Sequence, residues 1–412
     1  MNKIYSNIRG TSDFSPLESL LFRQLGQEAR KVFKAFGYEE VILPFLEEKG
    51  LFSKGVGEGT DIAERQMFKI EGKDIVLRPE GTAQIIRYYI QNALYKQSSF
   101  HKFFYTGAMF RGERPQKGRL RQFHHIGAEA IGSNSIYLDA EMIDLSLRIL
   151  DCLGVQEKEL KINTLGCASD KLKFSDYLRK ALEYDKSNFC DDCRRRLNKN
   201  PLRVLDCKNK QCKEIAKSLN LEQTHICQDC KNQFKDLLSL FDDLGIKYTL
   251  SPYLVRGLDY YTNTVFEISS SKLGSQDAIG AGGRYNNLIQ SLGGPDIPAV
   301  GFALGLERIL LALDKPKFVP VVDVFVAVSG QKLLKSGFDI LRRLREQGIN
   351  SDYDYCAKSL KGQLRFAQKK GARFVVIVGE DELKEKSVML KNMEKSTQEK
   401  VKIEELIYKI NT

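Results

Sequence analysis

Apolar residues in FSPLESLLFRQLGQEARKVFKAFG (14–37) recur at helical spacing through Leu17, Leu20, Leu21, Leu25, Val32, Phe33 and Phe36. That period predicts a helix with one buried face. Ser15 can cap it, Pro16 suits its first turn and Gly37 can end it. VILPFLE (41–47) reads as a strand, and Pro44, which has no N–H to donate, confines that strand to an edge or an interface. FHKFFYTGAMFRG and QFHHIGAEAIG read as two strands around the long basic loop GERPQKGRLR, and LDAEMIDLSLRILDCLG (138–154) returns to the helical period.

From about 166 to 245 cysteines become frequent and basic side chains outnumber acidic ones, which marks an inserted, mainly helical module. DYYTNTVFEISS resumes a strand pattern, and AIGAGGRYNNLI and AVGFALGLERILLAL each read as strand running into helix. DKPKFVP (314–320) fits a linker. Beyond it VVDVFVAV, QKLLKSGFDILRRLREQG, INSDYDYC, SLKGQLRFAQKKG and ARFVVIVG alternate strand and helix, which predicts a doubly wound α/β domain.

Composition changes this picture only at its margins. A chain of 412 residues suggests two or three domains. No stretch approaches the ~20 apolar residues of a membrane span, and MNKIYSNIRGTSDFSP lacks a signal peptide's apolar core. The expectation is a cytoplasmic protein without a membrane partner. A net charge of +11 favours a polyanionic partner, though only weakly. In that compartment the nine cysteines read as thiols or metal ligands rather than disulfides. Cys190-x2-Cys193 and Cys227-x2-Cys230 have the spacing of two zinc knuckles, and Cys207 and Cys212 can substitute. Reduced thiols packed in a helical module fit the same spacing.

Ionisable chemistry concentrates in RGERPQKGRLRQFHHIGAE (111–129). On a strand His125, Gly127 and Glu129 share a face, with the two functional side chains about 13 Å apart at ~3.3 Å per residue. Gly127 leaves a side-chain-sized gap between them, so the face reads as a slot with a polar group at each end, or as an ordinary half-exposed sheet surface. LVRGLDYYTNTVFE brings Arg256, Tyr260 and Tyr261 to a strand entry, and GAGGRY allows close backbone approach. GAGGRY lacks the Lys-Ser/Thr of a P-loop and the dinucleotide spacing.

Together these stretches resemble the histidyl-tRNA synthetases, members of the class II aminoacyl-tRNA synthetases. VILPFLEEKGLF is similar to class II motif 1, FRGERPQKGRLRQFHH to motif 2 and GFALGLERIL to motif 3. RGLDYYTNTVFE and GAGGRY resemble the two histidine-specific motifs, and IRGTSDF and RPEGTA fit the same family. The resemblance spans almost the whole chain in order. A regulatory paralogue serving histidine biosynthesis is the main rival, and it would typically lack the C-terminal domain.

The resemblance implies an α+β catalytic domain with an antiparallel sheet in two parts, 1–165 and 246–313. An inserted Cys-rich helical module (166–245) separates them, and a linker (314–320) leads to an α/β anticodon-binding domain (321–412). It implies a homodimer through motif 1. Histidine and ATP, with magnesium, would give histidyl-adenylate and pyrophosphate, and the histidine would then pass to the 3′ end of its tRNA.

In that reading Arg111 clamps the α-phosphate and the substrate carboxylate, Arg256 is a second α-phosphate cation, and Arg308 with Glu113 serves ATP. Glu80, Gly81 and Thr82 take the α-ammonium, joined by His125 where the family has Gln. Glu129 accepts from one imidazole nitrogen, and a hydroxyl of the Tyr260–Tyr261 pair, with Tyr261 preferred, meets the other. Lys117, Arg119 and Arg121 follow the acceptor stem's phosphates. With an ordinary imidazole pKa near 6.5, His125 would titrate in the assay range. Asn286 stands where the family has Asp, so no carboxylate acts there.

Overall fold

The protein is described by a computed structural model covering residues 5–57, 59–219, 221, 225–314, 322–356 and 358–411. The chain divides into two compact units, Met1–Asp314 and Lys315–Thr412. Apart from Asp314, the expected linker lies outside the described residues.

The strands of the first unit are β1 (Glu39–Glu40), β2 (Leu46–Glu48), β3 (Ile75–Leu77), β4 (His101–Phe110), β5 (Gln122–Ile131), β6 (Glu159–Thr164), β7 (Thr249–Leu250), β8 (Thr262–Ser269), β9 (Ala278–Arg284) and β10 (Ala299–Gly305). Eight of them form one sheet in the order β1-β4-β5-β10-β9-β8-β6-β7, while β2 and β3 pair separately. Every pairing between β4 and β6 is antiparallel, and only the two short edge strands run parallel to their neighbours.

The first helix, α1 (Pro16–Ala35), carries the capping box its sequence encodes, with Ser15 and Glu18 satisfying each other's backbone N–H. Gly37 follows at a φ of 76°, a left-handed conformation that glycine adopts without steric cost. The strand expected over 41–47 is a correction. Residues 41–45 are not strand, because Pro44 breaks the ladder and its carbonyl instead accepts from Gln84 at 2.8 Å. What remains is β1 at the sheet edge and β2 beyond the break.

The further helices are α2 (Lys49–Val56), α3 (Thr82–Gln91), α4 (Ile136–Cys152), α5 (Ala168–Leu182), α6 (Asp191–Lys199), α7 (Lys210–Ser218), α8 (Gln228–Leu244), α9 (Leu288–Ser291) and α10 (Leu306–Ala312). Apolar side chains of α1, α4, α8 and α10, including Phe33, Ile149, Phe241 and Ile309, bury one face of the sheet. The opposite face packs on α2, α3 and the cysteine-rich segment through Phe52, Ile86, Leu197 and Leu205. That second layer is incomplete, and a cleft opens where it stops.

The second unit contains β11 (Val324–Val328), α11 (Leu334–Glu346), β12 (Ser351–Tyr353), α12 (Leu360–Lys369), β13 (Phe374–Val378), α13 (Glu380–Lys384), β14 (Ser387–Asn392), β15 (Thr397–Lys402) and α14 (Leu406–Asn411). Its sheet order is β12-β11-β13-β14-β15. The first three strands are parallel, as the alternation predicts, but β14 and β15 add an antiparallel hairpin that makes the sheet mixed. Leu341 and Leu344 of α11 cover one face and Ala367 of α12 the other, so the winding is double-sided.

Candidate active site

The cleft in the first unit measures about 320 Å³, within the range of small-molecule sites. Its floor is made of small residues, Ala278, Gly280 and Ala281 of β9 and Ala303 and Gly305 of β10. The sheet surface is therefore bare enough for a flat ligand to lie on it.

Arginines gather at one end: Arg111 at the end of β4, Arg119 in the hairpin loop, Arg256 ahead of β8 and Arg308 on α10 all line the cleft. Each is anchored by part of its guanidinium. Arg111 donates Nε to Pro79 O at 2.8 Å and lies over Phe123. Arg308 donates Nε to Gly118 O at 2.8 Å and Nη1 to Ala278 O. Arg119 pairs with Glu113, and Arg256 donates Nη1 to Glu267 at 2.6 Å.

Burial lowers the pKa of Arg111, Arg119 and Arg308, and at Arg119 and Arg308 the neighbouring arginines lower it further. Burial also works against charge on Arg256, but Glu267, together with Tyr261 and Asp206, outweighs it and holds that guanidinium above its ordinary value. Arginine stays charged through such shifts. The result is a concentrated positive potential with an incomplete set of counter-ions.

The other end is made of tyrosines and carboxylates. Glu80 caps α3, accepting from the N–H of Thr82 at 2.7 Å and of Ala83 at 3.0 Å. Glu129 on β5 has no exposed surface. It accepts from Thr82 Oγ1 at 2.6 Å and from the Tyr285 hydroxyl, with the Tyr105 hydroxyl at 3.5 Å. Burial raises both carboxyls, Glu129 to about 8. Tyr260 and Tyr261 complete this end, their rings 4.6 Å apart and each packed on the Tyr285 ring.

The structure thus brings Glu80, Thr82, Arg111, Glu113, Arg119, His125, Arg256, Tyr260, Tyr261 and Arg308 to one cleft, with Glu129 directly behind its tyrosine end. Several expectations need correction. The gap at Gly127 is not an open slot. Tyr105, opposite Gly127 across the β4–β5 ladder, fills it, and a Cβ at Gly127 or at Gly81 would overlap the Tyr105 ring. Gly81 therefore admits that ring.

The surroundings of His125 oppose the titration expected of it. Burial, followed by Arg111, Arg308 and Arg78, holds its pKa well below the usual value. Its partner His124 faces the other side of the sheet, where Nδ1 meets Glu307 at 2.8 Å and the ring packs on Phe22.

Lys117, Arg119 and Arg121 do not form one outward-facing set. Lys117 is exposed, Arg119 turns into the cleft, and Arg121 is tied to the carbonyls of Glu113 and Arg9 at 3.1 and 3.2 Å. Asn286 bridges loops, donating to Asn134 at 3.0 Å and accepting from the Ala299 N–H at 3.3 Å.

Cysteines 190, 193, 227 and 230 do not share one site either: Cys190 and Cys193 group with Cys207 and Cys212, while Cys227 and Cys230 group with Cys167 and Asp170.

Sequence reasoning missed Tyr105 and Tyr285, although Tyr285 ends the quoted GAGGRY. It also missed Arg203, Asp206 and Lys208, which bring the insert into the cleft wall.

The histidyl-tRNA synthetase family model matches residues 10–309, and the anticodon binding domain model matches residues 323–412. A histidine–tRNA ligase of Halothermothrix orenii is 44% identical over 97% of both chains. That of Desulforamulus reducens is 41% identical over the same shares. Apo S. aureus histidyl-tRNA synthetase superposes with a TM-score of 0.79 at 30% identity, covering 99% of this chain and 100% of that one. Among the described residues no helix is long and apolar enough to cross a membrane. A cleft with guanidinium groups at one end and buried carboxyls at the other thus sits in a chain matched along nearly its whole length, and the chain belongs to the histidyl-tRNA synthetase family.

Proposed function

We propose that the cleft activates L-histidine with magnesium-bound ATP and then transfers the histidyl group to the 3′ end of its tRNA, with the two ends of the site dividing the work. Attack of the substrate carboxylate on the α-phosphate builds charge on phosphoryl oxygens. Fixed cations at that point favour the transition state over the ground state. Arg111 meets the α-phosphate and the substrate carboxylate, and Arg256 meets the α-phosphate. Arg308 meets the far phosphates, and so does Arg119, because it turns inward beside Glu113. Glu113 serves ATP indirectly by pairing with Arg119 and lying 4.0 Å from Arg111.

At the other end Glu80, Thr82 and a neutral His125 accept from the substrate's α-ammonium. Glu80 has lone pairs left for this beyond its two backbone partners. Glu129 and the Tyr261 hydroxyl read the imidazole, with Tyr285 and Tyr105 holding Glu129 in position.

Lys117, the exposed member of the basic loop, contacts tRNA phosphates. The reading includes a cytoplasmic homodimer joined near motif 1, and the support is apolar exposure: Ile42 is 91% exposed and Phe45 53%. The single observation that carries the functional reading is four arginines converging on one end of a cleft whose other end is built of buried carboxyls and tyrosines. The test is ATP–pyrophosphate exchange with each amino acid in turn, followed by charging of histidine tRNA. Histidine alone should support exchange. Exchange with another amino acid at a comparable rate, or none with histidine, would overturn the reading.

A further inference from the structure

All nine cysteines are free thiols, and most of them gather in two places. The sulfurs of Cys190, Cys193, Cys207 and Cys212 lie within 4.8 Å of one another, and those of Cys190 and Cys207 are 3.9 Å apart. A tetrahedral zinc ion with Zn–S bonds of ~2.3 Å sets its sulfurs about 3.8 Å apart. Three of the four side chains are buried. Backbone N–H groups point at the sulfurs, Cys190 N to Cys212 Sγ at 3.3 Å and Asn209 N to Cys207 Sγ at 3.4 Å. These contacts favour thiolate. We propose that Cys190, Cys193, Cys207 and Cys212 are the four ligands of a structural zinc ion.

That ion would stiffen the catalytic wall. Arg203 and Asp206 lie between the second and third ligands and Lys208 directly follows the third, and all three line the cleft. Arg203 donates to Gly257 O at 3.0 Å and to Asp61 at 3.1 Å, which ties the insert to the loop carrying Arg256. Arg196, three residues past Cys193, also meets Asp61, at 2.7 Å.

A separate observation carries a second site. Asp170 is fully buried, and its Oδ2 accepts from the N–H of Cys167 at 3.3 Å and of Cys227 at 3.1 Å. Its Oδ1 is buried without a hydrogen-bond partner, although the sulfurs of Cys167, Cys227 and Cys230 all lie within 4.8 Å of an oxygen of this carboxylate and of one another. An unsatisfied buried acceptor is costly. We infer that a second zinc ion, held by Cys167, Asp170, Cys227 and Cys230, takes that oxygen and fastens the start of α5 to the start of α8.

The experiment is metal analysis and zinc X-ray absorption on the full chain purified without chelator. Two zinc ions per chain are expected, with sulfur at ~2.3 Å. A double Cys193→Ser/Cys207→Ser variant should keep one, and a Cys230→Ser variant should keep the other. If either variant is insoluble, the parent is denatured stepwise with a mercurial and the released zinc is read with a metallochromic dye. Two separate releases are expected. Iron in place of zinc, or only trace metal in the parent, overturns both assignments. One zinc that the double variant abolishes sustains the first site and overturns the second. Chelator-stripped protein should show a histidine KM raised about tenfold and restored by added zinc. An unchanged KM would overturn the link to the catalytic wall.

Discussion

The two ends of the cleft are built on opposite principles. At the arginine end each cation is partly anchored to the protein, as Arg256 is to Glu267, and the remaining donors face the cavity. At the tyrosine end the polar groups largely satisfy one another, with Glu129 bonded by Thr82 and Tyr285. The first arrangement holds charge ready for charge that develops during reaction. The second holds hydrogen-bonding groups that only a matching donor and acceptor can engage without leaving one unpaired. Rate and selection are therefore separable by substitution.

The largest effect expected from that separation is at Glu129. Glu129→Ala leaves the hydroxyls of Tyr285 and Thr82 without their acceptor and removes the group that reads the imidazole. Histidine kcat/KM in pyrophosphate exchange should fall roughly 10³-fold or more. A fall of only a few-fold would mean that Glu129 does not read the substrate.

Gly127→Ala tests the packing of the same end. Its Cβ overlaps the Tyr105 ring, so the fold should lose about 1–3 kcal/mol, read as a lowered denaturation midpoint. Histidine affinity should fall as Tyr105 shifts. An unchanged midpoint would mean that the ring is free to move.

The smallest effects concern pH. Glu129 is near 4.3 in an unfolded chain and about 8 in the fold, the rise being due to burial. The folded state therefore binds a proton that the unfolded state has lost, so this group's contribution makes stability fall as pH rises through that window and levels off above it. Glu129→Gln should remove this slope from the difference in melting profiles. Burial and the neighbouring arginines push the His125 pKa down, which favours its neutral form. Histidine affinity profiles of the parent and His125→Gln should therefore superimpose between about pH 5.5 and 8. A parent-specific loss on the acid side would restore the titrating histidine that the sequence suggests.

The difference between the ends also sets what was legible in the sequence. Arg111, Arg256 and Arg308 sit in motifs whose chemistry is local, and the capping box of α1 and the β4–β5 hairpin follow from spacing alone. The tyrosine end depends on register. Tyr105 fills the gap at Gly127 only because the long basic loop returns β5 so that the two residues face each other, and a loop of that length does not fix pairing from sequence. The grouping of cysteines was hidden for the same reason. Cys167 and Asp170 lie far along the chain from Cys227 and Cys230, and folding alone joins them. Arg119 read as a surface charge because nothing in its neighbours shows that the loop folds inward onto Glu113.

The most direct test of the division of labour is Arg256→Ala, measured for both pyrophosphate exchange and histidine binding. Losing a cation aimed at transition-state charge should cost ~2.7–4 kcal/mol, about 10²–10³-fold in exchange turnover. The histidine dissociation constant should stay within roughly threefold of the parent's, because the recognition end is untouched. Turnover within about threefold of the parent's, or a loss expressed wholly in the dissociation constant, would contradict the account.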